Sequence, residues 1–270
     1  MSFRIQFAII GAMKSGTTDL ARKLAHHSSV CFCDKKEPHF FNSRDDWESE
    51  LEEYHSYFRP TPGQICGEGS TSYSDLATYP KVVERLHSYN PQLKLIYLVR
   101  HPIRRIQSQY AHRLMNGDAE PDINLEFENR GWRYLSQSSY GTTLKTYQEA
   151  FGQGQVLPIL FESYITDMGG GVDRVCDFLE IPREDLMHIT ARNTTVGSNR
   201  SRWSPVYYVD RILAYSPRSV RRRFGRKVSL KLREKPKLPA DVVGDLWTEL
   251  EPEIRLFEEV SGMDTSIWRV

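Results

Sequence analysis

Short apolar runs alternate with longer amphipathic stretches along most of the chain. Phe7-Ala8-Ile9-Ile10 is uninterrupted by polar residues and ends at Gly11, the pattern of a strand buried on both faces. Similar runs predict strands over Ile5–Ile10, Val30–Cys33, Gln64–Gly67, Lys94–Val99 and Val156–Phe161. Between them, apolar residues recurring every three or four positions predict helices near Thr18–His26, Asp46–Phe58, Pro80–Ser88, Ile103–Met115 and Tyr140–Phe151. Gly169-Gly170-Gly171 reads as a flexible connection before a helix over Val172–Leu179, and His26-His27 as the frayed end of the first helix. Such alternation predicts an α/β fold: a central, mainly parallel sheet flanked by helices, with ligands gathered at the carboxyl ends of its strands.

The first predicted strand runs into Gly11-Ala12-Met13-Lys14-Ser15-Gly16-Thr17-Thr18, a glycine turn entering a helix. A nucleotide-triphosphate loop, G-x-x-x-x-G-K-[ST], would place lysine at position 17, where this chain has Thr17; the cation stands instead at Lys14. Without the displaced lysine, ATP hydrolysis is not expected. What remains is a run of N–H groups and hydroxyls at a helix N-terminus, a cradle for an anion carrying less charge than a triphosphate.

Three segments together resemble the sulfotransferases that use 3′-phosphoadenosine 5′-phosphosulfate (PAPS). Lys14, Ser15, Gly16, Thr17 and Thr18 match that family's K-x-G-T-T loop for the 5′-phosphosulfate. Lys36-Glu37-Pro38-His39-Phe40-Phe41 is similar to the K-E-x-H-F-F segment of the heparan sulfate branch, whose glutamate is the proposed base. Leu98-Val99-Arg100-His101-Pro102 continues to Ser108, matching the arginine and the serine eight residues on that hold the 3′-phosphate. Gly67-Glu68-Gly69-Ser70 to Tyr73, and the closing Trp268-Arg269, are weaker echoes. The resemblance implies a P-loop-like three-layer fold, PAPS as co-substrate, 3′-phosphoadenosine 5′-phosphate (PAP) as product and no metal requirement. It also implies contacts from Lys36, Glu68 and Ser70 to the acceptor, a small molecule or glycan. Asn193 to Pro205 stands where the family's lysine-containing loop closes over the nucleotide; the lysine is missing, and Arg200 and Arg202 are its substitutes.

The chemistry fits these residues. A co-substrate with a phosphosulfate and a separate phosphate needs two anion cradles. The Lys14 loop supplies one; Arg100 presents a planar fork suited to bidentate phosphate recognition, with Ser108 two turns into the following helix. Lys14 would neutralise charge on the bridging oxygen as the sulfuryl group leaves, and Glu37 would take the proton of an attacking hydroxyl or amine. His39 would orient either the acceptor or Glu37, and Lys36 would meet either sulfuryl oxygens or an acidic acceptor. Arg104 and Arg105 read as solvated helix residues or substrate contacts.

Composition narrows the field without deciding it. At 270 residues, with 39% hydrophobic and 26% charged residues, the chain is expected to form one soluble domain spanning residues 1–270. No stretch reads as a signal peptide or membrane span, so a cytoplasmic location is expected. The four cysteines lack metal or disulfide spacing and read as a reduced, partly buried set. Net charge is +1, yet Arg218 to Lys237 holds ten Lys or Arg and one acidic residue. This block, within a basic insert or connector over residues 206–238, is either a solvated linker or a surface for an anionic acceptor or membrane. Nucleic acid is not expected, because no nucleic-acid fold signature accompanies the charge. The rival readings are a P-loop small-molecule kinase and a non-catalytic anion- or membrane-surface-binding protein. Oligomeric state is not legible in the sequence.

Overall fold

A computed structural model describes residues 3–43, 45–189 and 236–269. Arg200, Arg202 and residues 206–235 of the basic stretch lie outside the described residues. The chain divides into two compact units, one comprising Met1–Pro102, Ser136–Ala191 and Leu250–Val270, the other Ile103–Leu135 and Arg192–Glu249.

The first unit contains a five-stranded parallel sheet in the order β2-β3-β1-β4-β5. Its strands are β1 (Phe7–Gly11), β2 (Val30–Phe32), β3 (Ile65–Gly69), β4 (Lys94–Val99) and β5 (Val156–Leu160). β1 occupies the centre because it is buried along its whole length, without polar residues to face water. From β1 the chain passes to the edge strand β2, returns inward to β3 beside β1, then crosses to β4 and β5 on the other side. The crevice at such a reversal lies beside the carboxyl end of β1.

The pleat sends alternate side chains to opposite faces. Phe7 and Ile9, Ile96 and Leu98, and Leu157 and Ile159 pack with Leu20 and Leu24 of α1 (Thr17–Ala25) and with Val172, Val175, Cys176 and Leu179 of α9 (Met168–Leu179). On the other face Tyr97 meets Tyr140, the first residue of α7 (Tyr140–Phe151), with ring centroids 6.2 Å apart. There α7 lies beside α4 (Val82–Tyr89), and Tyr140 also touches Phe257 in the last turns of α10 (Ala240–Ser261). Gly141 permits that approach: a Cβ there would stand 2.6 Å from the Glu253 carbonyl oxygen.

Three expectations of local backbone structure are corrected. Gly169-Gly170-Gly171 belongs to α9 rather than to a connection before it. Asp167 caps the helix, accepting a hydrogen bond from the Gly170 N–H at 2.9 Å, and Gly171 lies against the Tyr164 ring, which a Cβ would approach to 2.7 Å. His27 is not frayed. It is buried, its Nε2 within hydrogen-bonding distance of the Pro182 carbonyl. The stretch predicted as a helix over Asp46–Phe58 is helical only over α3 (Leu51–His55).

The second unit includes most of α5 (Pro102–Met115) and α6 (Ile123–Ser136). Arg105 is fully buried, donating to Gln109 Oε1 at 2.7 Å and to the Tyr134 carbonyl at 2.9 Å, so it is neither solvated nor facing an open site. Glu126 is equally buried and is satisfied by Arg130 at 2.6 Å, the Tyr134 hydroxyl at 2.9 Å and the Glu120 N–H at 2.8 Å. Buried charges of this kind require partners, and each has them.

Candidate active site

Strand ends bring the predicted anion cradles together. After β1 the chain turns through Lys14 and Gly16, both with left-handed φ (70° and 87°), and enters α1 at Thr17. The first N–H groups of a helix have no acceptor within it, so this turn presents donors. Ser15 is fully buried, and among the described residues its hydroxyl has no hydrogen-bond partner. A buried orphan hydroxyl inside a donor-rich turn fits a bound anion.

Gly16 packs on Phe161, the first residue of α8 (Phe161–Thr166), which follows β5. Arg100 meets the same ring, its guanidinium carbon 4.7 Å from the Phe161 centroid. Arg100 also donates from Nη1 to the Lys14 carbonyl at 3.2 Å. The arginine leaving β4 and the loop leaving β1 therefore share a side chain and a hydrogen bond. Behind them Glu162 accepts from the His101 N–H at 3.0 Å and from the buried Trp268 indole at 3.0 Å. Ser108 is buried in α5, within the second unit.

The third segment leaves β2. Phe40 and Phe41, at the start of α2 (Phe40–Ser43), are buried against Tyr54, with Phe40 stacked on its ring at 4.3 Å. Burying each phenylalanine is worth about 1.5–3 kcal/mol, enough to anchor the preceding loop. That loop holds Glu37 and His39 in left-handed conformations (φ 49° and 52°), each costing on the order of 1–3 kcal/mol in a non-glycine residue. Lys36 beside them is exposed.

A short 3₁₀ turn after β3, Thr71–Ser74, supports both side chains. Thr71 Oγ1 donates to Glu37 Oε2 at 3.0 Å, Ser72 Oγ lies 2.6 Å from His39 Nδ1, and His39 Nε2 lies 3.6 Å from Glu37 Oε2. Burial lowers the His39 pKa below its ordinary value, with Lys35 acting the same way and Glu37 opposing. The far end of the turn reaches the end of β1: a Cβ on Gly11 would stand 2.2 Å from Ser74 Oγ. Glu37 and the end of β1 are thus joined by one turn.

Glu68 and Ser70, expected at the acceptor, lie beneath this layer. Glu68 is fully buried and accepts from the Tyr54 and Tyr73 hydroxyls at 2.8 and 2.7 Å and from Ser70 Oγ at 2.6 Å. Burial raises its pKa and the three hydroxyls oppose the rise. Ser70, also fully buried, accepts the His39 N–H at 3.0 Å. This placement gives the pair a supporting position rather than a surface for substrate. Among the described residues, no group of three or more His, Cys, Asp or Glu is arranged to hold a metal ion, and no helix is long and apolar enough to cross a membrane.

Residues 4–220 match the model of the sulfotransferase domain family. The chain belongs to that family. This sulfotransferase domain is 32% identical over 186 residues to human heparan sulfate glucosamine 3-O-sulfotransferase 6, an alignment covering 66% of the chain and 53% of the relative. The chain spans about half the length of the curated relatives it matches. A crystal structure of a sulfotransferase from Alicyclobacillus acidocaldarius superposes with a TM-score of 0.73 at 22% identity, covering 100% of both chains. Mouse sulfotransferase SULT7A1 complexed with PAP superposes at 0.52 with 17% identity, covering 96% of this chain and 90% of the mouse chain. At these identities the solved structures establish the fold, and the P-loop-like arrangement of a parallel sheet flanked by helices is the one expected.

Proposed function

We propose that the protein transfers a sulfuryl group from PAPS to a hydroxyl or amine of a glycan, by in-line displacement. The observation that carries this reading is the linked geometry of three strand ends: the Lys14–Thr18 turn, Arg100 bonded to its backbone, and Glu37 linked through residues 71–74 to Gly11 at the end of β1, from which that turn leaves. Family membership supports the reaction type, and the heparan sulfate named in the human relative supports a carbohydrate acceptor. The PAP named with the mouse neighbour, together with the orphan hydroxyl of Ser15, supports the nucleotide.

Bound PAPS supplies a sulfuryl group joined through an oxygen to a phosphate. In this reading the N–H groups of Gly16, Thr17 and Thr18 and the Ser15 hydroxyl hold the phosphosulfate end, while Lys14 offsets negative charge as the bridging oxygen is released. Fixed donors in a site closed to water stabilise such charge without reorganising. Arg100, held over the Phe161 ring, serves the 3′-phosphate. Glu37 accepts the acceptor's proton, a contribution of ~10²- to 10⁴-fold. His39 orients Glu37, and exposed Lys36 meets an acidic acceptor.

The test is mass spectrometry of products from purified protein, PAPS and a panel of desulfated glycans, repeated with Glu37→Gln. Sulfated product from the native protein, loss of most turnover in Glu37→Gln and unchanged PAP affinity by calorimetry are expected. No product from any glycan, or native turnover in Glu37→Gln, refutes the acceptor class or the base respectively.

A further inference from the structure

The turn after β3 carries hydroxyls in succession, Ser70-Thr71-Ser72, and each contacts the Glu37–His39 segment. Ser70 Oγ accepts the His39 N–H, Thr71 Oγ1 donates to Glu37 Oε2, and Ser72 Oγ meets His39 Nδ1. Resting on the reading of Glu37 as base, we propose that Thr71 and Ser72 are positioning residues for the proton transfer. Thr71 fixes the carboxylate, and Ser72 fixes the tautomer of His39.

The argument begins with the backbone. Glu37 and His39 both adopt left-handed φ, a conformation that persists only where surrounding contacts over-determine it. Phe40 and Phe41 anchor one end of the segment. The hydroxyl turn is the clamp on the other. A carboxylate left to itself at about 30% exposure samples several rotamers; the 3.0 Å bond from Thr71 selects one.

The imidazole has one proton to place while neutral. Nε2 faces Glu37 Oε2 at 3.6 Å, and a proton there meets a negative oxygen, whereas a lone pair there would repel it. Nδ1 is then the acceptor, and Ser72 donates to it at 2.6 Å. A neutral ring with this tautomer adds a donor beside the base without competing for the acceptor's proton. Burial and the nearby Lys35 both keep the ring neutral, against the opposing pull of Glu37. Ser70 is itself oriented by the buried Glu68, so the turn is rigidly seated.

The experiment compares Ser72→Ala, Ser72→Thr, Thr71→Val and Thr71→Ser in the full chain, beside Glu37→Gln. Imidazole ¹⁵N shifts of His39 report the tautomer without any acceptor present. Ser72→Ala is expected to raise the Nδ1–H population, and Ser72→Thr to leave the native spectrum. In steady-state assays Ser72→Ala and Thr71→Val are expected to lower kcat by about 10- to 100-fold at unchanged PAP affinity, the scale of a misplaced reacting group, with the hydroxyl-keeping variants close to native. Unchanged His39 shifts in Ser72→Ala overturn the tautomer assignment. Native kcat in Ser72→Ala and Thr71→Val, where Glu37→Gln is inactive, overturns the positioning role. Native turnover in Glu37→Gln refutes the base assignment instead, and the spectra still read the Ser72 contact independently.

Discussion

Gly16→Ala perturbs one atom at the point where the β1 loop, Arg100 and α8 converge. Gly16 has φ +87°, and a Cβ built on it stands 2.8 and 2.9 Å from two carbons of the Phe161 ring. Two costs add. Left-handed backbone in a residue with a Cβ costs about 1–2 kcal/mol, and forcing an extra carbon into a packed contact costs about 1–3 kcal/mol more. The expected loss is therefore roughly 2–5 kcal/mol. Gly63 separates the two, because its φ is +89° but nothing lies within 4 Å of a Cβ there. Urea denaturation of Gly63→Ala should show the backbone cost alone. Gly16→Ala should exceed it by the clash, and Gly16→Ala combined with Phe161→Leu should recover part of the difference, a coupling that a double-mutant cycle measures. Equal losses in Gly16→Ala and Gly63→Ala, with no coupling to Phe161, would show that Phe161 does not pack on the loop.

Two further predictions follow from buried groups. Glu162→Ala leaves the His101 N–H and the buried Trp268 indole without their carboxylate; the orphaned indole costs about 1–3 kcal/mol and the part-buried N–H less, and the change should appear both in the urea midpoint and as a shift in tryptophan emission. Burial lowers the pKa of His39 and of His55 relative to the unfolded 6.5. The unfolded chain then binds protons first as pH falls, so the stability these histidines leave intact above 6.5 is lost as pH drops from there through their folded values. Glu68 acts oppositely, since its raised pKa relieves a buried charge as pH falls. Urea midpoints measured across this range should lose less toward acid in His39→Gln than in the native protein; an identical slope removes His39 from the titration.

How far the fold was legible depended on how much each element relied on its own sequence. β4 and α7 occupy the residues expected, Lys94–Val99 and Tyr140–Phe151, because an all-apolar run and a regular apolar stripe each satisfy one geometry. α6 gave no clear signal: Gly131 and its many charged residues dilute the stripe, and it buries a charged residue, Glu126, beside Tyr134. Arg104 and Arg105 are indistinguishable as neighbours in sequence, yet only Arg105 meets Gln109 and the Tyr134 carbonyl. The candidate motifs Lys14–Thr18, Glu37–His39 and Arg100 were visible because each is a local run of residues. Their supports were not. Thr71 lies 34 residues from Glu37 and Phe161 lies 61 from Arg100, and no local pattern announces a contact made only when strands 1 to 5 assemble.

Phe161 has an implication for anyone altering the specificity of this protein. Its ring touches the glycine of one loop and the guanidinium of another, so a change to either is felt through it. A library that varies Arg100 or the β1 loop alone searches a space in which most members are handicapped by a misfitted ring. Varying position 161 together with them would decouple the two loops. The productive starting point for redesign is thus a phenylalanine with no reactive group of its own.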